Sequence, residues 1–103
     1  MDRKKSKLID ELKKFKLQNQ IEQMYLFGSR ATGKIHKWSD VDLIVVSKRF
    51  NGKGINERAP RLYMKWNLEY PVDFLCYSPD EFNKLKKQVT IVRKAVEDGV
   101  KIE

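Results

Sequence analysis

The chain has little of what stabilises or anchors many small proteins: one cysteine, three prolines and no long hydrophobic run in 103 residues. The lone Cys76 excludes an intrachain disulfide and a cysteine-based zinc site, and it favours a reducing, cytoplasmic setting. No apolar run approaches the roughly 20 residues that cross a bilayer. The basic first residues lead into no apolar segment, so we expect no secretory signal.

The charge balance is strongly basic. There are 22 lysines and arginines against 14 aspartates and glutamates, which gives a formal net charge of +8. Such a charge attracts phosphates, nucleic acid or an acidic partner, although lysines spread along a chain also suit a plain solvated surface. Because 41% of the residues are hydrophobic, we expect one globular domain over residues 1–103.

Hydrophobic periodicity predicts an α/β (α+β) fold, with a small mixed β-sheet flanked by helices. The predicted elements are a helix over 6–18 capped by Ser6, a strand over 21–27, a brief helix from Ser29, a loop over 34–39, a strand over 41–47, a loop over 48–56, a helix over 56–69, a strand over 70–77, a helix capped by Ser78 and Glu81, a helix over 91–98 ending at Gly99, and an edge strand over 100–102. The strand over 41–47 is apolar on both faces, so it should be central.

Two aspartates one residue apart, Asp40 and Asp42, begin the predicted central strand. Because side chains alternate along a strand, both lie on one face, roughly 7 Å apart along the backbone. Paired carboxylates on a rigid strand suit a hard cation such as Mg²⁺. Asp73 lies between Val72 and Phe74 in another predicted strand, where an uncompensated charge is costly. If the two strands pair, Asp73 could join the other carboxylates around a cation.

A Gly28-Ser29 pair closes the first predicted strand, ten residues before Asp40. Glycine lets the backbone approach a phosphate closely, the start of a helix favours anions, and Ser29 adds a hydroxyl donor. Arg30 could clamp a phosphate or orient a carboxylate. This combination suits phosphoryl or nucleotidyl transfer, in which two metal ions can stabilise the attacking and leaving oxygens. Asp73 could accept the proton of the attacking hydroxyl.

Together these residues resemble the nucleotidyltransferase superfamily that includes DNA polymerase beta, and most closely its small, stand-alone members, the minimal nucleotidyltransferases. The strings over 25–31 and 38–46 carry the resemblance, together with the later strand aspartate. It implies a polymerase beta-like nucleotidyltransferase fold and Mg²⁺-dependent transfer of AMP from ATP. It also implies metal ligands at Asp40, Asp42 and Asp73, and nucleotide binding at Gly28 and Ser29, with Arg30 beside them.

Minimal nucleotidyltransferases are usually encoded next to a helical HEPN-domain toxin, and some transfer AMP to a tyrosine of that toxin. The resemblance therefore implies an antitoxin in a hetero-oligomer with a HEPN partner, with a homodimer as another assembly. Two alternatives remain open: a non-catalytic antitoxin that works by binding, and a basic nucleic-acid-binding module. We expect no membrane partner, and we expect His36 and Trp38 to be surface and packing residues.

Overall fold

The computed structural model describes residues 3–32 and 40–103. In chain order the elements are α1 (Arg3–Gln18), β1 (Gln23–Phe27), α2 (Ser29–Thr32), β2 (Val41–Val46), a 3-10 turn (Lys48–Phe50), α3 (Ile55–Arg58), α4 (Pro60–Lys65), β3 (Val72–Tyr77), α5 (Pro79–Leu85), α6 (Ile91–Asp98) and β4 (Val100–Ile102). The predicted loop over 34–39, with His36 and Trp38, lies outside the described residues. In the part of the chain that is described, the helices are too short or too polar to cross a membrane.

The four strands form one mixed sheet in the order β3-β2-β1-β4. The strand β1 pairs antiparallel with both β2 and β4, whereas β2 and β3 run parallel. The predicted central position of β2 is confirmed, because it has a neighbour on each side and buries five of its six residues. The predicted edge strand over 100–102 is also confirmed. The expectation of a mixed α/β fold is therefore met.

Apolar side chains cover both faces of the sheet. One core joins α1 and α4 to the face that carries Leu43, and its members include Leu8, Leu12, Phe15, Met24, Leu62 and Phe74. The other core joins α5 and α6 to the face that carries Ile44, and its members include Tyr25, Val46, Phe82, Val92 and Ala95. Because side chains alternate along β2, Asp42 belongs to the face of Ile44, which α5 and α6 cover only in part.

The first predicted helix and strand have different bounds in the structure. The helix α1 begins at Arg3, so Ser6 lies inside it and the predicted cap is wrong. After α1, Gln20 takes a left-handed conformation with φ of 55°, which turns the chain before β1. The strand therefore starts at Gln23 rather than at residue 21, although Ile21 is still buried against the core.

The single helix predicted over 56–69 is wrong. The structure has two short helices instead, with α3 ending at Arg58 and α4 beginning at Pro60. Proline has no amide hydrogen to continue the bonding of a preceding helix and is favoured at a first turn. The helix α4 ends before Trp66, whose backbone is extended and whose indole N–H donates to the Tyr70 carbonyl at 2.8 Å. Residues 66–71 are therefore a connection, and β3 starts at Val72.

The predicted start of α5 is confirmed in detail. The Ser78 hydroxyl accepts from the Glu81 amide at 3.3 Å, and the Glu81 carboxylate accepts from the Ser78 amide at 2.8 Å. The helix α6 ends at Gly99 as predicted, but the glycine is extended, with φ of −86°. A Cβ there would lie 2.5 Å from the Ala95 carbonyl oxygen and 2.6 Å from that of Leu26. Close backbone packing therefore requires this glycine.

A buried arginine ties three elements together, and no sequence pattern indicated it. Arg58 is 8% exposed, and its guanidinium donates to the Lys53 carbonyl at 3.0 Å and to the Cys76 carbonyl at 3.2 Å. It also contacts both carboxylate oxygens of Glu81, at 2.5 and 3.1 Å. The hydrogen bond from Arg58 holds the pKa of Glu81 down to about 2. The contacts of Arg58 with Glu81 and with the Cys76 carbonyl therefore hold α3 against β3 and the start of α5.

Replacing the Glu81 carboxylate by a neutral amide should make the free energy of unfolding depend less on pH. Glu81→Gln keeps the capping oxygen but removes the charge. We expect it to lower the free energy of unfolding at pH 7 by about 1 kcal/mol, because the Glu81 side chain is 44% exposed and solvent screens part of its interaction with Arg58. Because the folded pKa is below the ordinary value of 4.5, the contribution is complete above pH 4.5 and is lost as pH falls towards 2. The unfolding curves of the variant and the wild type, measured with urea, should converge over that range. Asp80→Asn, at an exposed acid in the same turn, is the control. A Glu81→Gln deficit that stays constant in acid would contradict the assignment.

Candidate active site

The parallel pairing of β2 and β3 brings two of the predicted site aspartates side by side. Asp42 and Asp73 are direct register partners, so their side chains lie on the same face, on strands about 4.8 Å apart. The Val41 amide donates to the Pro71 carbonyl at 2.8 Å, which sets the register at the start of both strands. Asp40 immediately precedes β2 and is exposed. The structure therefore gathers all three predicted carboxylates at one end of the sheet.

The three carboxylates repel one another. The pKa of Asp42 is raised above its ordinary value, first by burial, then by the charge of Asp73 and then by that of Asp40. Among residues 3–32 and 40–103, the ion pairs join Lys48 to Glu22, Arg58 to Glu81 and Arg93 to Glu97, and none includes these aspartates. This concentration of carboxylates would attract a cation.

The donor set suits Mg²⁺ without forming a closed cage. Within the described part of the chain, no three acidic, histidine or cysteine side chains already lie close enough together to hold a metal ion. Mg²⁺ does not need such a cage, because it is usually held by one or two carboxylates together with substrate phosphates and waters. Asp42 and its neighbours offer these oxygen ligands. The residues present therefore fit a cation that arrives with a nucleotide.

Gly28 lies directly against the Asp42 carboxylate. It follows Phe27, the register partner of Asp42, and its φ is +76°. A Cβ on Gly28 would lie 2.4 Å from Asp42 Oδ2, which is closer than two non-bonded heavy atoms can approach. Both the backbone angle and the contact therefore require glycine here. This packing joins the predicted phosphate-binding pair to the predicted metal-binding pair in one site.

Ser29 and Arg30 begin the predicted brief helix α2, which the structure confirms. It has only four residues, so its dipole is small and any grip on a phosphate must come from individual N–H and hydroxyl groups. Ser29 is half-buried. Arg30 is 7% exposed, and its guanidinium carbon lies 4.5 Å from the centre of the Tyr70 ring, a cation–π distance. The predicted nucleotide-binding role of these residues stays a prediction.

Two features of the site gave no signal in the sequence. The Tyr63 hydroxyl donates to Asp73 Oδ1 at 3.3 Å, a contact that depends on how α4 packs beside β3. A cleft of about 350 Å³ adjoins Gly28, and it is lined by Phe27, Gly28, Ile91, Lys94, Ala95, Asp98 and Gly99. Lys94 of α6 therefore lines the same cleft as the predicted phosphate-binding glycine. Only the packing of α6 against β1 could reveal it.

Comparison with known proteins agrees with this architecture. A family model described as nucleotidyltransferase domain matches residues 5–102. A crystal structure from Sulfolobus solfataricus, described as a candidate nucleotidyltransferase, superposes with a TM-score of 0.65. The two chains are 20% identical, and the match covers 94% of this chain and 80% of that one; at this identity the likeness concerns the fold alone. No curated protein matches the chain.

The mixed sheet, the paired aspartates and the glycine packed against them define a nucleotidyl-transfer fold. The chain belongs to the nucleotidyltransferase domain family, because the family model covers nearly its whole length. The predicted resemblance to nucleotidyltransferases is therefore confirmed, and so is their fold. General nucleotidyl transfer is the activity that this family supports.

Two glycines with the same backbone angle provide a matched test of the Gly28–Asp42 contact. Gly28 and Gly52 have φ of +76° and +75°, but a Cβ on Gly52 would meet no atom within 4 Å. An L-residue in this conformation costs about 1–2 kcal/mol, so alanine at either position should lower stability by that amount. Gly28→Ala should also displace the Asp42 carboxylate and reduce nucleotidyl transfer about 100-fold. Equal transfer by the two variants, measured with labelled nucleotide, would show that the contact is unimportant.

Asp42 should also destabilise the metal-free protein. Because its pKa is raised in the folded state, its charge costs stability at pH values above that pKa. Asp42→Asn should therefore unfold at a higher temperature than the wild type in EDTA at pH 7. The gain should shrink as pH falls through the raised folded pKa, and it should vanish below the ordinary value of 3.8. Mg²⁺ added together with a non-hydrolysable ATP analogue should stabilise the wild type more than the variant. Asp10→Asn, at an exposed acid on α1, should change neither quantity. A wild type that Mg²⁺ and the analogue fail to stabilise would count against the cation site.

Proposed function

We propose that the chain is a Mg²⁺-dependent nucleotidyltransferase that moves AMP from ATP to a protein hydroxyl. The acceptor would be a tyrosine of a HEPN-domain toxin, and the transfer would make the chain its antitoxin in the cytoplasm. The observation that carries the transfer chemistry is the register pairing of Asp42 with Asp73, with Gly28 packed against Asp42. The acceptor and the HEPN partner rest on the resemblance to minimal nucleotidyltransferases.

Each site residue has a task in this proposal. Asp40, Asp42 and Asp73 would hold Mg²⁺, which neutralises phosphate charge and supports the attacking and leaving oxygens. The Gly28 backbone can approach the triphosphate because it has no side chain, and the Ser29 hydroxyl can donate to a phosphate oxygen. Asp73 is exposed, so an acceptor hydroxyl can reach it and pass its proton to the carboxylate.

The cleft beside Gly28 is a suitable place for the nucleotide. Its volume of about 350 Å³ lies at the lower end of the range of small-molecule sites. Ile91 is 51% exposed at its edge and can contact an apolar base, while the Lys94 ammonium can approach a phosphate. A nucleotide in this cleft would extend its phosphates over Gly28 towards Asp42. This arrangement supports a nucleoside triphosphate as the substrate.

The surface beside Asp73 can receive a partner protein. A largely apolar cavity of about 560 Å³ runs along β3 between α3 and α5, lined by Ile55, Arg58, Ala59, Phe74, Leu75, Cys76, Tyr77, Glu81, Lys84 and Leu85. Ile55 is 82% exposed there, and Met64 on α4 is 85% exposed. Exposed apolar side chains beside a cavity are typical of interaction surfaces. An acceptor that docks there would present its hydroxyl close to Asp73.

Transfer can be tested directly with the HEPN-domain protein that this proposal names as the partner. With labelled ATP and Mg²⁺, the wild type should label that protein on a tyrosine. Asp73→Asn should reduce the rate at least about 100-fold, because it removes the proton acceptor, and Asp42→Asn should have a comparable effect. Asp80→Asn, at an exposed acid of α5 remote from the cluster, should keep the wild-type rate. A HEPN protein that stays unlabelled with wild type, Asp42→Asn and Asp73→Asn alike would contradict the proposed transfer.

The alternative functions predict different outcomes. If the double variant Asp40→Asn, Asp42→Asn still rescued cells that express the toxin, binding rather than transfer would be the mechanism. If the basic surface bound RNA or DNA, affinity would fall steeply with salt. The carboxylates gathered at the site make phosphate backbones a poor fit there unless a cation is bound, so we favour transfer to a protein.

A further inference from the structure

One tyrosine hydroxyl already occupies the place where an acceptor hydroxyl is needed. Tyr63 lies on α4 and reaches the outer edge of β3, where its hydroxyl donates to Asp73 Oδ1 at 3.3 Å. The same hydroxyl accepts from the Phe74 amide at 3.3 Å. The Tyr63 ring packs edge-on against the Phe74 ring, with centroids 5.0 Å apart. The ring and the hydroxyl are therefore held beside the carboxylate without any partner.

The other three tyrosines of the chain lack this placement. Tyr25 is buried in the core at 8% exposure. Tyr70 lies beneath the Arg30 guanidinium, and Tyr77 is half-buried in the wall of the cavity beside α5. Tyr63 is 44% exposed, so a bound nucleotide can reach its hydroxyl from the solvent side. Among the described residues, it is the tyrosine that contacts an aspartate of the three-carboxylate cluster.

We propose that Tyr63 is an intramolecular acceptor, so that the chain adenylylates itself on this residue; the inference rests on the proposed transfer of AMP. The Tyr63 oxygen attacks the α-phosphorus of ATP and forms a P–O bond. The bond from the α-phosphorus to the oxygen that bridges to the β-phosphate breaks, and pyrophosphate leaves with that electron pair. The hydroxyl proton passes to Asp73 and then to water. The product is an adenylyl phosphodiester on Tyr63.

Two features of the contact suit an acceptor. The Tyr63 hydroxyl lies beside Asp73 Oδ1, and Tyr63 is 44% exposed, so a bound nucleotide can approach the hydroxyl. Holding the hydroxyl next to its base makes the reaction effectively unimolecular, which strongly favours it over transfer from solution. Tyr63 offers a single hydroxyl, so the reaction adds one AMP per chain.

Incubating the purified full-length chain with ATP and Mg²⁺, and no partner, tests the proposal. We expect intact-mass spectrometry to show one added adenylyl group, and fragmentation to place it on Tyr63. The fraction modified over time should not depend on protein concentration over a roughly tenfold range, because the step is intramolecular. Tyr63→Phe should remain unmodified, whereas Tyr25→Phe, at a tyrosine buried in the core, should be modified like the wild type. The mapping on wild-type protein needs no variant, so poor folding of Tyr63→Phe cannot hide the result.

The remaining outcomes would overturn the inference in distinguishable ways. A chain that labels its HEPN partner but never carries AMP on Tyr63 would refute self-modification and leave the proposed function intact. A chain that labels neither itself nor the partner would refute both. A modification rate that rises in proportion to protein concentration would show transfer between copies and refute the intramolecular step. Loss of partner labelling in Tyr63→Phe, without a mapped adenylyl group in the wild type, would show that Tyr63 only positions Asp73.

Discussion

The approach of Gly28 to the Asp42 carboxylate is the constraint on which the rest of the site depends. The antiparallel pairing of β1 with β2 sets Phe27 opposite Asp42, so the next residue must turn away over the carboxylate. Glycine suits this position, because its φ is +76° and a Cβ would lie 2.4 Å from Asp42 Oδ2 and displace the carboxylate. This one contact fixes where the Asp42 carboxylate lies relative to the predicted phosphate-binding glycine. The predicted phosphate pair and aspartate pair are thus parts of one packed unit.

The site groups negatively charged carboxylates in a chain whose net charge is positive. The overall balance is +8, yet carboxylates concentrate at the end of the sheet, where burial, and then the charges of Asp73 and Asp40, raise the pKa of Asp42. Local repulsion of this kind costs folding stability and is typical of functional positions. Mg²⁺ with a nucleotide would relieve it, and the basic surroundings would draw the nucleotide phosphates in. The folded chain alone therefore leaves the repulsion between the carboxylates in place, and a bound cation would relieve it.

Local patterns in the sequence predicted the parts of the fold that local physics determines. The apolar run of β2, the Ser78–Glu81 capping box and the end of α6 at Gly99 could all be read from neighbouring residues. The break at Pro60 was missed because the composition over 56–69 is helical and proline also suits the first turn of a helix. Features that arise from long-range packing, such as buried Arg58 or the Tyr63–Asp73 contact, have no local signature. The cleft beside Lys94 belongs to the same class.

The outer edge of the sheet is closed by side chains rather than by another strand. Along β3, the outward-facing Phe74 amide is bonded to the Tyr63 hydroxyl, and the Cys76 carbonyl is bonded to the Arg58 guanidinium. A strand from another molecule would have to displace both groups before it could pair there, and the opposite edge, β4, is only three residues long. Sheet extension is therefore discouraged at both ends. Any complex that this protein forms should assemble through side-chain surfaces, with the backbone of the sheet left as a closed unit.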